Sequence, residues 1–430
     1  MIMAQGKRLA AVLCTSFLLF AASFGCGQSP DEPRYVRDIN AYLTNEMSDI
    51  PVLEPMDSTI LAYMGKWGLH GMSLSIMRSD SLLYAKGYGE SDEGKSMSPG
   101  TLLRIASVSK LLTATGIMVL QERGMLSLDD SLFTNTGLLS EYSPYIKDKR
   151  IKTITLRHLL MHESGFTSRM GDPMFSTLKL MKDNGWSTPP DAETLVRTVL
   201  GKPLQFSPGT ASEYSNFGYL LLSMAIEKAT GEPYEAWMQE NVLAPAGCID
   251  MHIASNYYED RHERESRYWV HSWDTDVERF DGSGAMVPRC YGGSDITSLQ
   301  GAGAWISSAS ELARLVAAID ERGSMKDIIS PESVEEMTFT TDSLTYALGW
   351  NDISEEGVWT RTGTLSGTSA LIKYYPDGEC WVFISNTGTR RGPRFTKITS
   401  NLADTLRERY SLSLPARNLF LEPEGDEEEE

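Results

Sequence analysis

The chain has 430 residues, enough for one large or two coupled domains. Apolar residues make up 41% and charged residues 23%, a balance that supports a packed core and excludes a disordered chain. A net charge of -19 argues against a nucleic-acid partner, because that affinity rests on Lys and Arg neutralising phosphates.

At the N-terminus, Lys7 and Arg8 precede an apolar stretch, residues 9–24, with small residues towards its end. The stretch is too short and interrupted for a comfortable membrane span, so residues 1–25 read as a secretory signal. It closes on Phe24-Gly25-Cys26-Gly27-Gln28-Ser29-Pro30. A Cys behind a small residue and ahead of a polar linker resembles a bacterial lipoprotein signal, with Cys26 the lipidated first mature residue. Phe24 is large for that pattern, and an ordinary cleaved signal is the alternative. The expected location is periplasmic or outer-surface, with a lipid anchor as the membrane contact. No second long apolar run follows. Cys248, Cys290 and Cys380 are too scattered for a metal site, although an oxidising compartment would permit one disulfide among them.

Residues 26–54 read as a linker with a short helical stretch at 34–45. Gly71-Met-Ser-Leu-Ser-Ile-Met alternates as a strand, and Ser81-Leu-Leu-Tyr-Ala-Lys-Gly-Tyr answers it across a turn at Arg78-Ser79-Asp80, which predicts a hairpin. A strongly apolar helix is expected over 107–123, stopped by Gly124. Residues 125–300 carry mostly helical patterns with long loops. Strand patterns return at 358–361, 369–375 and 380–385, with a turn at Pro376-Asp377-Gly378, and a helix at 394–409 closes the domain. Residues 413–430 read as a solvated tail, with seven acids between 422 and 430. Strands at both ends with helices between predict an α/β (α+β) fold. One antiparallel sheet is built from both termini and flanked by helices, with an inserted helical domain, over 55–412.

Three short motifs carry chemistry. In Ser107-Val108-Ser109-Lys110 the i, i+3 spacing places an amine beside a hydroxyl on one helix face, and a hydroxyl becomes a nucleophile only beside a base. Lys serves as that base if burial lowers its pKa, and the helix start offers backbone N–H groups to a developing oxyanion. The same spacing recurs by chance at Ser176 and Lys179, without partner motifs. Tyr214-Ser215-Asn216 supplies a phenol that relays protons and an amide that holds a carbonyl, or else is only a surface turn before a helix. In Arg361-Thr362-Gly363-Thr364 the Gly lets a ligand approach a strand edge, and the Thr364 N–H is a second oxyanion donor.

Together and in this order, the motifs resemble those of the serine β-lactamase and penicillin-binding-protein superfamily, specifically its class C β-lactamase-like esterases and D-amino peptidases. The similarity extends to Thr101-Leu-Leu-Arg-Ile-Ala, Ile154-Thr-Leu-Arg-His-Leu-Leu-Met-His-Glu-Ser-Gly, Phe206-Ser-Pro-Gly-Thr, Gly303-Ala-Trp-Ile-Ser-Ser and Leu348-Gly-Trp, across residues 55–410. The resemblance implies an acylated nucleophile at Ser107, its base or proton shuttle at Lys110 and a second acid/base at Tyr214. Asn216 would bind the substrate amide or orient Lys110, and the N–H groups of Ser107 and Thr364 would form the oxyanion hole. No metal or organic cofactor is implied. Arg361 departs from the family, where β-lactamases proper have Lys and many esterase-like relatives have His. Arg moves no protons at accessible pH, so its expected role is a two-point grip on a substrate carboxylate or a pairing with an acid of the protein.

The implied activity is acyl transfer from amides or esters: D-amino-acid peptides, small esters or, less readily, β-lactams. The rival is a penicillin-binding sensor that acylates with little turnover. His158 and His162, an i, i+4 pair, read as structural, as do Trp305 and Trp350. The long segment 257–291 is expected to shape the rim of the site.

Overall fold

The computed structural model describes residues 38–166, 171–272, 274–323, 325–341 and 345–421. The expected signal at 1–25, Cys26 and the acidic run 422–430 lie outside them. The predicted hairpin forms as strands Gly71–Arg78 and Ser81–Asp92, joined by Ser79 and Asp80 at φ of 46° and 64°. Two left-handed residues in a two-residue loop match the twist of the flanking strands. The C-terminal strands Trp359–Leu365, Thr368–Tyr374 and Glu379–Ser385 join the same sheet. In spatial order it runs Lys95–Ser96, Ser81–Asp92, Gly71–Arg78, Glu379–Ser385, Thr368–Tyr374, Trp359–Leu365, Asp352–Ile353, antiparallel throughout. The first and last strand groups therefore meet at the centre, where Met72 stands opposite Ser385 and Arg78 opposite Glu379.

The alternation seen in the first strand sorts the two faces. Met72, Leu74 and Ile76 point into an apolar layer with Trp381 and Phe383, covered by helices Glu54–Trp67 and Phe395–Tyr410. Each such side chain removed from water contributes about 1.5–3 kcal/mol. Ser73 and Ser75 face the other way, and the Ser75 hydroxyl lies 2.9 Å from that of Ser310 on helix Ala309–Ala317. Beyond that helix lies the larger core, built around helices Ser109–Glu122 and Asn216–Thr230.

Four points of the sequence reading need correction. The helix Glu54–Trp67 was not foreseen from sequence, although Pro55 in its first turn, Glu54 and Asp57 beside it, and Gly68 at φ 65° as its C-cap are ordinary helix signals. Its apolar positions Met56, Ile60 and Met64 give one contact per turn, a stripe too thin to stand out. The expected helix at 34–45 is a single turn, Ile39–Tyr42, among the described residues. The expected tail starts too early. Asn418 Oδ1 accepts from Leu82 N at 3.1 Å, Leu419 N donates to the Leu82 carbonyl at 2.8 Å, and Phe420 is buried, so residues through 421 strap the hairpin. Cys248, Cys290 and Cys380 are buried free thiols rather than disulfide partners.

Candidate active site

The turn that carries Ser107 is shaped before Ser107 is reached. Strand Leu103–Arg104 pairs with Trp305–Ser307, and Ile105 N donates to the Trp305 carbonyl at 3.0 Å. Ala106 then adopts φ 50°, a left-handed conformation that costs a non-glycine residue free energy and is tolerated where the surroundings enforce it. Ser107 sits in the tight turn Ala106–Val108, and the helix proper starts at Ser109, two residues later than expected. Lys110, fully buried, brings Nζ to 3.3 Å from Ser107 Oγ.

Strand Trp359–Leu365 passes against this turn, and Gly363 allows it. A Cβ there would stand 2.2 Å from the Ile105 carbonyl oxygen and 2.9 Å from Ser107 N. Arg361, 1% exposed, donates from Nε to the Ser107 carbonyl at 2.8 Å and from Nη2 to the same oxygen. The fork expected to grip a substrate carboxylate, or an acid of the protein, holds the backbone carbonyl of Ser107 instead. Thr362 is tied to Asn351 Oδ1 through its N–H at 2.6 Å, and Thr364 lines the cavity beside Ser107. Arg361→Ala is therefore expected to cost about 1.5–3 kcal/mol of transition-state stabilisation, the range for hydrogen bonds from a charged group. The loss should be equal for carboxylate-bearing and neutral ester substrates in parallel kcat/KM measurements. A loss confined to carboxylates would restore the substrate-binding role.

Tyr214 and Asn216 flank Ser215, whose side chain caps helix Asn216–Thr230 by accepting from Gly218 N. The motif is thus more than a surface turn. The Tyr214 hydroxyl donates to Ser107 Oγ at 2.7 Å. Asn216 Oδ1 accepts from Lys110 Nζ at 2.6 Å, and the Ala302 carbonyl accepts from it at 2.5 Å. With Ser107 Oγ these make three acceptors for the three ammonium donors. Burial lowers the Lys110 pKa from its ordinary value, helped by Arg361 and opposed by Tyr214 and Asp172. Burial pushes the Tyr214 phenol up, but the charges of Lys110 and Arg361 and the hydrogen bonds to it outweigh burial, leaving its pKa lowered.

Several contributors carry no sequence signal. Asn216 Nδ2 donates to Asp172 Oδ2 at 2.6 Å, across 44 positions of chain. The Ala302 carbonyl is an anonymous backbone group. His162 packs its ring, tilted, against that of Tyr214 at 4.4 Å between centroids and accepts from Ser215 N at 3.1 Å; burial, with Lys110 and Arg361 nearby, holds its pKa well below the ordinary value. His158 instead caps its own helix with Thr155, so the pair does local work. The second Ser-x-x-Lys is dispersed, with Ser176 donating to the Asp172 carbonyl and Lys179 paired with Asp183. Trp305 and Trp350 are buried in the core.

Ser107, Tyr214, Asn216 and Thr364 open into a cavity of about 300 Å³. It adjoins a second of about 470 Å³ with which it shares Phe175, Thr364, Leu365 and Pro393. Val270, His271, Arg289 and Cys290 wall the second, so the long segment does border the site. Among the described residues, Asp250, His252 and His262 bring possible metal-ligating atoms within 4.8 Å of one another, apart from these cavities. Asn40 and Arg264 already occupy the other Asp250 oxygen, and the guanidinium opposes a cation there.

The chain matches the family model described as Beta-lactamase over residues 56–406, and it belongs to that family. The putative penicillin-binding protein PbpX of Bacillus subtilis (strain 168) is 25% identical over 325 residues, 75% of this chain and 71% of the relative. Protein flp of Staphylococcus aureus (strain COL) is 24% identical over 330 residues, and the match spans 75% of this chain but 60% of that protein. Esterase EstB of Burkholderia gladioli is 31% identical over 191 residues, 44% of this chain and 48% of the esterase. Among solved structures, the octameric penicillin-binding protein homologue from Pyrococcus abyssi superposes with a TM-score of 0.61 at 23% identity, covering 86% of this chain and 78% of its own. The D-amino acid amidase from Ochrobactrum anthropi SV3, complexed with L-phenylalanine amide, gives 0.63 at 21% identity, covering 82% and 96%. These structures share the fold: a large antiparallel sheet flanked by helices. The superfamily is one of serine hydrolases.

Proposed function

We propose that this chain is an exported serine hydrolase that forms an acyl-enzyme on Ser107 from amide or ester substrates. One observation carries the reading: the Ser107 hydroxyl is held at once by Tyr214 at 2.7 Å and Lys110 at 3.3 Å, at the mouth of a cavity walled by Thr364. Lys110 and Tyr214, whose pKa values are both lowered, form a coupled pair on the Ser107 hydroxyl. The pair, once it has lost one proton, takes the Ser107 proton as Oγ attacks the carbonyl, and returns it to the leaving group. The N–H groups of Ser107 and Thr364 receive the oxyanion. A water then repeats the cycle to release the acid. Arg361 holds the turn and moves no proton.

D-amino-acid peptides and small esters are the proposed substrates, ahead of β-lactams. The test is to incubate the protein with a fluorescent penicillin, a short-chain aryl ester and a D-Ala-D-Ala peptide, following labelling and turnover together. Turnover of one compound names the class. Stable labelling without turnover favours the sensor reading, and neither labelling nor turnover rejects acyl transfer.

Export with a lipid on Cys26 is part of the proposal, supported by the leader pattern. One acyl chain anchors only marginally, whereas two or more hold a protein stably on a membrane. The full-length protein is expected in the membrane fraction, and Cys26→Ser should appear as soluble or uncleaved material. Mass spectrometry finding an unmodified mature N-terminus downstream of Cys26 would reject the anchor.

A further inference from the structure

Asp172 belongs to none of the three motifs, yet it completes the chain of contacts behind Lys110. Its Oδ2 accepts from Asn216 Nδ2 at 2.6 Å, and the opposite end of that amide, Oδ1, accepts from Lys110 Nζ at 2.6 Å. An amide presents a donor at one end and an acceptor at the other. Only one of its two flips puts the acceptor on the ammonium and the donor on the carboxylate. The reverse flip would set NH₂ against Lys110 and a carbonyl oxygen against Asp172, two repulsive contacts in a buried place. The carboxylate therefore selects the orientation that holds the ammonium beside Ser107.

We propose that Asp172 is a positioning residue for acyl transfer, fixing the Asn216 amide so that Lys110 stays at Ser107. The inference rests on the acyl-enzyme reading above. A competing duty is visible in the same side chain: Oδ1 accepts from Met174 N at 2.9 Å and caps the turn Pro173–Phe175, whose Phe175 lines both cavities. The two duties use different oxygens, so substitutions separate them.

The readout is the rate at which a fluorophosphonate labels Ser107, measured across the pH range, with thermal unfolding as the check on folding. Asp172→Ala loses both duties. Asp172→Ser keeps a capping oxygen, since Ser is a good N-cap, but is too short to serve Asn216 as well. Asp172→Asn has a single amide oxygen: turned to Asn216 it keeps that acceptor, gives up the cap on Met174 N and removes the charge. Loss of a charged hydrogen-bond acceptor predicts labelling slowed by about tenfold to hundredfold in the Ala and Ser variants. Asp172→Asn should label near the wild-type rate with its acid limb moved to lower pH, and with a lowered melting temperature from the lost cap. The sign follows from the groups facing Lys110, namely Tyr214, Tyr219, His162, Arg361 and Asp172. Asp172 is a negative charge that favours the protonated Lys110–Tyr214 pair, so its removal lets the pair lose a proton at lower pH.

Wild-type rates in both the Ala and Ser variants would overturn the proposal. A wild-type rate in Ser beside a slow Ala would reduce Asp172 to a turn cap. An Asn variant as slow as Ala, with its limb unmoved, would remove the route through Asn216. Wild-type protein that does not label at Ser107 would instead bring down the acyl-enzyme reading itself, and this proposal with it.

Discussion

Ser107→Ala is expected to abolish covalent labelling by a serine-directed phosphonate and to reduce turnover by on the order of a millionfold, as removal of a nucleophile does in other serine hydrolases. The expectation follows from geometry that no other serine of the two Ser-x-x-Lys patterns shares. Ser107 Oγ is half-buried at a cavity wall with a phenol and an ammonium on it. Ser109, two residues on, is buried and accepts from Trp305 N at 3.2 Å, a structural bond beneath the site. Ser176 donates to a carbonyl, while Lys179 is paired on the surface with Asp183. Ser109→Ala and Ser176→Ala should therefore keep most of the labelling. Label persisting in Ser107→Ala would mean that another residue is the nucleophile.

The sheet was legible because its signals are local. Alternation in residues 71–77, the Ser79-Asp80 turn and the Pro376-Asp377-Gly378 turn each need only a few neighbouring residues to be read, and they fix which face of each strand is buried. The three motifs were legible for another reason: each is weak, but their order is informative, and the structure gathers all three around one cavity. What escaped was non-local. Asp172 and the Ala302 carbonyl touch Asn216 and Lys110 with no spacing that announces them. Arg361 shows the limit plainly: its planar fork is spent on one oxygen that is neither a substrate carboxylate nor an acid of the protein. That acceptor is a backbone carbonyl 254 positions away, brought there only by the crossing of strand and turn. His162, structural by its sequence pattern, packs its tilted ring against Tyr214, so its structural duty lies within the site.

That crossing also sets the second large effect. Gly363→Ala is expected to slow Ser107 labelling by about a hundredfold, the loss that a misplacement of about 1 Å produces at a reacting centre. The added methyl would meet the Ile105 carbonyl oxygen at 2.2 Å and Ser107 N at 2.9 Å, both backbone atoms that cannot swing aside as a side chain would. Either the strand retreats, taking Thr364 and its N–H away from the oxyanion, or the nucleophile turn retreats, pulling Ser107 from Tyr214. Overpacking of this kind costs about 1–3 kcal/mol, so the melting temperature should fall while the protein still folds. Gly65→Ala is the matched control, since a Cβ there meets nothing within 4 Å, and Gly-to-Ala within helix Glu54–Trp67 should be neutral or stabilising. If Gly363→Ala labels as fast as Gly65→Ala, the close approach of strand to turn is not what aligns the nucleophile, and the oxyanion role of Thr364 loses its geometric support.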